Sequence, residues 1–238
     1  MVVSLPEDAD VSSRDVRRML AEGEYQPLSN LLHESVYGYI LRKGLYGTTA
    51  DLKNLPDEQL RAVSYSMMLP KRIAHVRGTE QEAVKLAERW GADVKNARRA
   101  AILHDCTKYY TVEEHMALCQ TYDVPLDAIE KDAEKLLHAK TGAALACHMF
   151  GEPRAVQAAI YYHTTGRGDM TTLEKIIYLA DYMEPNRDFP GVEELRALAY
   201  TDLDAAVALG CRMSIAEMKE KGRLVHPNTQ AALDSLTK

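Results

Sequence analysis

Residues 172–181, TLEKIIYLAD, set Leu173, Ile176, Ile177 and Ala180 at three- and four-residue steps and then put Asp181 on the same stripe. That spacing predicts an amphipathic helix with an acid on its buried face. The same pattern recurs outward from it. Residues 81–90, QEAVKLAERW, align Ala83, Leu86, Ala87 and Trp90, and Gly91 follows as a stop. Residues 94–104 align Val94, Ala97, Ala100, Ala101 and His104, with Asp105 next in the chain. Residues 202–221 read as a further helix ending near Gly222. No hairpin signal or alternating β-branched run interrupts these, so the fold class is all-α, a helical bundle. With two Phe and one Trp in 238 residues, the core rests on Leu, Ala, Ile, Val, Met and Tyr.

Composition narrows the function classes. The chain is 46% hydrophobic and 27% charged, the proportions of a globular protein. Its 29 Lys and Arg against 35 Asp and Glu leave a net charge of −6, which argues against nucleic acid and anionic membrane as partners. Apolar runs such as 143–146 are far short of the roughly 20 residues of a bilayer span. The first ten residues lack the basic and apolar regions of a secretion signal. Cys106, Cys119, Cys147 and Cys211 form no CxxC pair and read as free thiols of a reducing compartment, the cytoplasm.

Three helical stripes carry residues that do not belong in an apolar core. Asp181 follows Ile177 by four. His104 follows Ala101 and Ala100 by three and four. His75 shares a face with Thr79, Ala83 and Leu86. A lone histidine on such a face is more commonly a hydrogen-bonded core residue than a ligand. The set of three weighs the other way, because an unpaired buried charge costs several kcal/mol and a cation removes that cost. Imidazole nitrogen and carboxylate oxygen suit iron, manganese or zinc. His138 in LLHAKTG and His163 in YYHTTGRG follow; Gly166, Arg167 and Gly168 read either as a phosphate-receiving loop or as an ordinary turn. His33, His115 and His148 read as structural or surface residues, and His226 before Pro227 as a helix boundary.

The order His75, His104-Asp105, Asp181 resembles the H…HD…D pattern of HD-domain metal-dependent phosphohydrolases. The strings RIAHVRGTEQEAVKLAERWG, AAILHDCTKYY, LLHAKTGA, IYYHTTGRGDMTTLEKIIYLADYMEPNR and FPGVEELRALA are similar to the YqeK family of bacterial HD proteins, over about residues 60–210. The resemblance implies symmetrical hydrolysis of diadenosine tetraphosphate, and of related dinucleoside polyphosphates, to two ADP. It implies a metal, one iron ion ahead of other divalent metals, on His75, His104, Asp105 and Asp181. It further implies that Arg72, His75, Asp105, Lys108, His138, His163, Thr164, Asp181 and Arg187 line the nucleotide site. Asp105, Lys108, His138 and His163 take the catalytic roles, with His138 or His163 as proton donor to the leaving phosphate. Those two histidines could instead hold a second ion, as in many HD proteins. The alternative functions are another HD-type nucleotide phosphohydrolase or phosphodiesterase, and a non-catalytic sensor of ADP or an alarmone.

The N-terminal string VSSRDVRRMLAEGEYQPLSNLLHESVYGYILRKGLYG resembles the C-terminal end of bacterial nicotinate-nucleotide adenylyltransferases. Ser12, Ser13 and Arg17 match a string that helps bind ATP there. The nucleotide-binding half that precedes it in those enzymes has no counterpart, so no adenylyltransferase activity is expected. The segment suggests a piece of a fused two-enzyme polypeptide, or a gene start inside one. The expected division is a helical segment over 1–50, with helices near 12–22 and 34–43, and an HD domain over 56–238. A homodimer and an association with a nicotinate-nucleotide adenylyltransferase are the partner readings beyond substrate and product.

Overall fold

The computed structural model describes residues 11–237; the first ten residues, read above as carrying no secretion signal, lie outside them. The chain runs α1 (Ser13–Glu22), α2 (Tyr25–Leu31), α3 (Glu34–Lys43), α4 (Asp57–Tyr65), α5 (Pro70–Trp90), α6 (Val94–Leu103) and α7 (Val112–Thr121). It continues through α8 (Ala128–Asp132), α9 (Glu134–His148), α10 (Arg154–Tyr162), α11 (Thr172–Met183), α12 (Val192–Ala199), α13 (Leu203–Glu220) and α14 (Pro227–Leu236). Among the described residues there is no strand, as the all-α reading expects, and no helix is long and apolar enough to cross a membrane. The four cysteines are free.

Local chemistry sets the helix ends. Thr171 and Glu174 form a reciprocal capping box at the start of α11, and Ser12 with Asp15 does the same for α1. Pro70 occupies the first turn of α5, where its missing N–H costs nothing. Gly91 stops α5 in the left-handed conformation (φ 68°) that a glycine adopts without strain. His226 caps α14 ahead of Pro227, the boundary expected from the sequence. Helix α2 has no counterpart in the sequence reading; Pro27 sits in its first turn, where a proline is tolerated.

Helix α5 packs on α6 and α11, and α10 packs on α6, α9 and α11, so these five helices surround one interior. Leu86, Ile102, Ile160, Ile176 and Ile177 are fully buried there. The N-terminal helices are continuous with it, because Leu20, Leu28, Tyr37 and Ile40 belong to the same apolar cluster. The join is a close crossing of α3 on α4. A Cβ at Gly38 would overlap the Ala62 carbonyl, so only glycine lets the two backbones meet. We expect Gly38→Ala to lower stability in urea unfolding by about 1–3 kcal/mol, the usual cost of overpacking. An unchanged midpoint would mean that the crossing relaxes freely.

Candidate metal centre

Each expected donor arrives from a different element. His75 comes from the second turn of α5 and Asp181 from the last turns of α11. Helix α6 ends at Leu103, so His104 is its C-cap and Asp105 lies in a tight turn rather than on the helix. Three-residue hydrogen bonds, Cys106 N to Leu103 O (3.1 Å) and Lys108 N to Asp105 O (2.9 Å), carry that turn past the helix end. Lys108 therefore still comes back beside Asp105, with Nζ 3.7 Å from Oδ1.

The four expected ligands converge. His75 Nε2 stands 3.3 Å from His104 Nε2, 3.0 Å from Asp181 Oδ1 and 3.7 Å from Asp105 Oδ2. His104 Nε2 stands 3.4 Å from Asp105 Oδ2 and 3.8 Å from Asp181 Oδ1. His138 and His163 face the other oxygen of Asp105. His138 Nε2 is 3.1 Å from Oδ1 and 3.1 Å from His163 Nε2, and His163 Nε2 is 3.9 Å from Oδ1. The Asp105 carboxylate thus lies between two pairs of imidazoles.

All four rings are held by their other nitrogen. His104 Nδ1 donates to Ala101 O (2.7 Å), His138 Nδ1 to Lys135 O (2.8 Å) and His163 Nδ1 to Ile160 O (2.7 Å). Each acceptor is the carbonyl three residues earlier. His75 Nδ1 meets Glu184 Oε1 at 3.1 Å. With Nδ1 carrying the proton, each Nε2 turns a lone pair inward. Lone pairs about 3.1–3.3 Å apart have no hydrogen to share. Asp105 Oδ1 is buried and has no aligned hydrogen-bond donor. Lone-pair nitrogens, ionised oxygens and an orphaned acceptor at one buried point fit a borderline divalent cation.

The electrostatics keep both carboxylates ionised and divide the imidazoles. Burial pushes the Asp105 carboxyl up, but His104, the His138 contact and Lys108 outweigh it and hold the group well below the usual carboxylate range. Asp181 is likewise held low against burial, through His75, His104 and His163. Burial, reinforced by His138 and His104, pushes His163 down to about 3. Burial also lowers His138, although Asp105 opposes it. His104 goes the other way, because Asp105 beside it more than reverses the effect of burial.

The mouth is cationic. His104 and Asp105 side chains are fully buried, whereas Asp181 is 17% exposed and Arg72, Lys108 and Arg187 are 18%, 32% and 34% exposed. Arg72 is hydrogen-bonded to Asp105 Oδ2, and Arg187 donates to Asp181 Oδ1 at 2.9 Å. Lys108 Nζ also reaches His138 Nε2 at 3.0 Å. Thr164 follows His163, and its hydroxyl is buried without a partner.

The remaining positions singled out in the sequence take local structural roles. Arg167 forms a two-pronged pair with Glu174 (3.0 and 2.9 Å), which makes the GRG segment a helix-start turn rather than a phosphate loop. Ser12 spends its hydroxyl on the α1 cap, and Arg17 lies over the Tyr46 ring at 5.4 Å. His115 is buried against Thr141 (2.8 Å), His148 stacks on Tyr122, and His33 caps α3.

Sequence reasoning misses Glu184. It is buried just past α11, and its second oxygen accepts from Asn186 N (2.7 Å) and Asn186 Nδ2 (2.8 Å). Gly78 on α5 makes room for it, since a Cβ there would collide with Glu184 Oε2. The available signal is spacing: Glu184 lies three residues after Asp181, in the EPNR string.

Comparison with known proteins places this geometry in a class. Residues 72–186 match the HD domain. A solved structure described as a predicted HD superfamily hydrolase involved in NAD metabolism, from Clostridium acetobutylicum, superposes with a TM-score of 0.74 at 36% identity, covering 76% of this chain and 97% of that one. The symmetrical bis(5′-nucleosyl)-tetraphosphatase of Bacillus subtilis is 40% identical over 173 residues, which is 72% of this chain and 92% of that protein. A Mycoplasma genitalium protein named a probable nicotinate-nucleotide adenylyltransferase/Ap4A hydrolase is 29% identical over 163 residues, 68% of this chain and 42% of that protein. The fold and centre are those of an HD hydrolase. More narrowly, the chain belongs to the HD-domain family of symmetrical bis(5′-nucleosyl)-tetraphosphatases.

Loss of an outer partner of a metal-binding histidine typically costs 10–100-fold in affinity. We expect Glu184→Ala to weaken metal binding within about that range, measured by metal titration and elemental analysis. Gly78→Ala, which displaces the same carboxylate, should move affinity in the same direction. Unchanged affinity in both variants would remove Glu184 from the centre.

Proposed function

We propose that this chain hydrolyses diadenosine tetraphosphate and related dinucleoside polyphosphates symmetrically to two ADP, in the cytoplasm, with iron as the resident metal. The observation that carries this reading is the 40% identity across 92% of the Bacillus subtilis symmetrical tetraphosphatase. The convergence of His75, His104, Asp105 and Asp181 supports the chemistry.

His75, His104, Asp105 and Asp181 would hold the ion. Bound there, it would supply a Lewis acid that lowers the pKa of water and offsets phosphoryl charge. The remaining work falls to the chain. Arg72, Lys108 and Arg187 form a cationic rim in a protein of net charge −6, so they draw in the polyphosphate against the overall field. Arg72 and Arg187 already donate to carboxylate oxygens, and phosphate oxygens offer them charged acceptors of the same kind. Burial keeps His138 and His163 neutral, with lone pairs facing the centre. Incoming phosphate charge lets one of them carry the proton that the leaving phosphate takes. Water adds at an inner phosphorus, the middle P–O–P bond breaks, and both fragments leave as ADP.

Residues 56–238 form the hydrolase domain in this reading. The segment over 1–50, helical over its described residues from α1 to α3, resembles an adenylyltransferase tail and suggests association with such an enzyme, while a homodimer is the other assembly reading. A second reading of the metal content has its own support. The orphaned Asp105 Oδ1 facing the His138–His163 pair offers donors for a second ion.

Chromatography of products from diadenosine tetraphosphate should show ADP alone; AMP with ATP would overturn the symmetrical reading. Asp105→Ala should lower kcat/KM by more than about 100-fold, beyond what loss of an outer partner costs. Elemental analysis of the purified protein should give one ion per chain, whereas two per chain would establish the second reading.

A further inference from the structure

We propose that Tyr109 is a stacking platform for the second nucleoside of the substrate, so that the chain favours tetraphosphates capped by a nucleoside at both ends; this rests on the tetraphosphate reading above. In diadenosine tetraphosphate each nucleoside hangs two phosphates from the bond that breaks. The cavity that Thr164 lines, about 640 Å3, has room for one of them. None of Arg72, Lys108 or Tyr109 lines that cavity, so an arm that leaves through the cationic mouth ends on other residues.

Two neighbouring pairs of residues carry that path outward. Arg72 is hydrogen-bonded to Asp105 Oδ2, and Lys108 Nζ stands 3.7 Å from its Oδ1. Lys71 precedes Arg72, and Tyr109 follows Lys108. Lys71 Nζ lies over the Tyr109 ring, 5.9 Å from its centre. The start of α5 and the turn after α6 thus each place one residue at the buried carboxylate and its neighbour at the same outer spot.

The chemistry of the spot suits a base carried on phosphate. Tyr109 is 38% exposed, which alone is ordinary for a tyrosine. Beside it, however, Lys71 is exposed and has no carboxylate partner among the described residues, in a chain of net charge −6. An unpaired cation over an aromatic ring offers both contacts that a nucleotide arm uses, charge for the phosphate and a flat face for the base. Every base has such a face, so stacking registers that a base is present without selecting among bases. An uncharged apolar ligand would use the ring but would not answer the cations Lys71, Arg72 and Lys108 beside it.

The test uses the full chain as purified, with Tyr109→Ala and Tyr109→Phe, and thermal melts establish that both variants fold. Diadenosine tetraphosphate is compared with adenosine 5′-tetraphosphate, which has the same phosphates and a single nucleoside. The readout is the ratio of kcat/KM for the first to that for the second, in which any disturbance of Lys108 or of the metal cancels. We expect Tyr109→Ala to lower that ratio about fivefold or more, through KM, the low end of what one stacked base contributes. Tyr109→Phe keeps the ring and should stay within about twofold of the wild-type ratio. A wild-type ratio in Tyr109→Ala, including an equal loss on both compounds, would overturn the platform, and so would a loss in Tyr109→Phe as large as that in Tyr109→Ala. If the wild-type chain left diadenosine tetraphosphate uncut, the tetraphosphate reading would fail, while the same ratio taken from calorimetric affinities would still read the platform.

Discussion

A buried carboxylate shared by two pairs of imidazoles is the constraint around which this molecule is arranged. Asp105 has no exposed side-chain surface and is approached by His75 and His104 on one oxygen and by His138 and His163 on the other. An isolated ion so placed would cost several kcal/mol. Positive charge has to surround it, and Arg72 and Lys108 stand over it at the mouth. The helices that deliver these groups, α5, α6, α9, α10 and α11, are also those that pack the interior. The bundle is thus organised by the same helices that must bring the donors to one point.

That arrangement explains which parts of the centre are legible in the amino-acid sequence. A polar residue on an apolar stripe is conspicuous, so His75, His104 and Asp181 stand out from spacing alone. The stop at Gly91 and the boundary at Pro227 are local chemistry and are legible for the same reason. Glu184 is not, because it lies beyond the periodic segment and meets His75 across 109 residues of chain. The GRG turn is a different case, left open by its composition. Its composition suits an anion loop, but Glu174, seven residues on, claims Arg167 and settles the turn as a helix start. Short-range rules carry the helices; which acid finds which base depends on the packing.

The close crossing at Gly38 has a similar lesson for the N-terminal helices. Their sequence resembles the tail of a different enzyme, yet Leu20, Leu28, Tyr37 and Ile40 join the interior of the hydrolase. Whatever the segment does elsewhere, here it contributes apolar area that α4 would otherwise leave to water.

The manner in which the rings are anchored makes the four inward nitrogens chemically unequal. Three imidazoles lean on neutral peptide oxygens three residues back, a contact set by their own helix. The fourth, His75, leans on an anion, so its ring orientation depends on a side chain 109 residues away rather than on its own helix. Loss of Glu184 would therefore reach a bound ion through His75 alone, while the other three rings kept their backbone anchors.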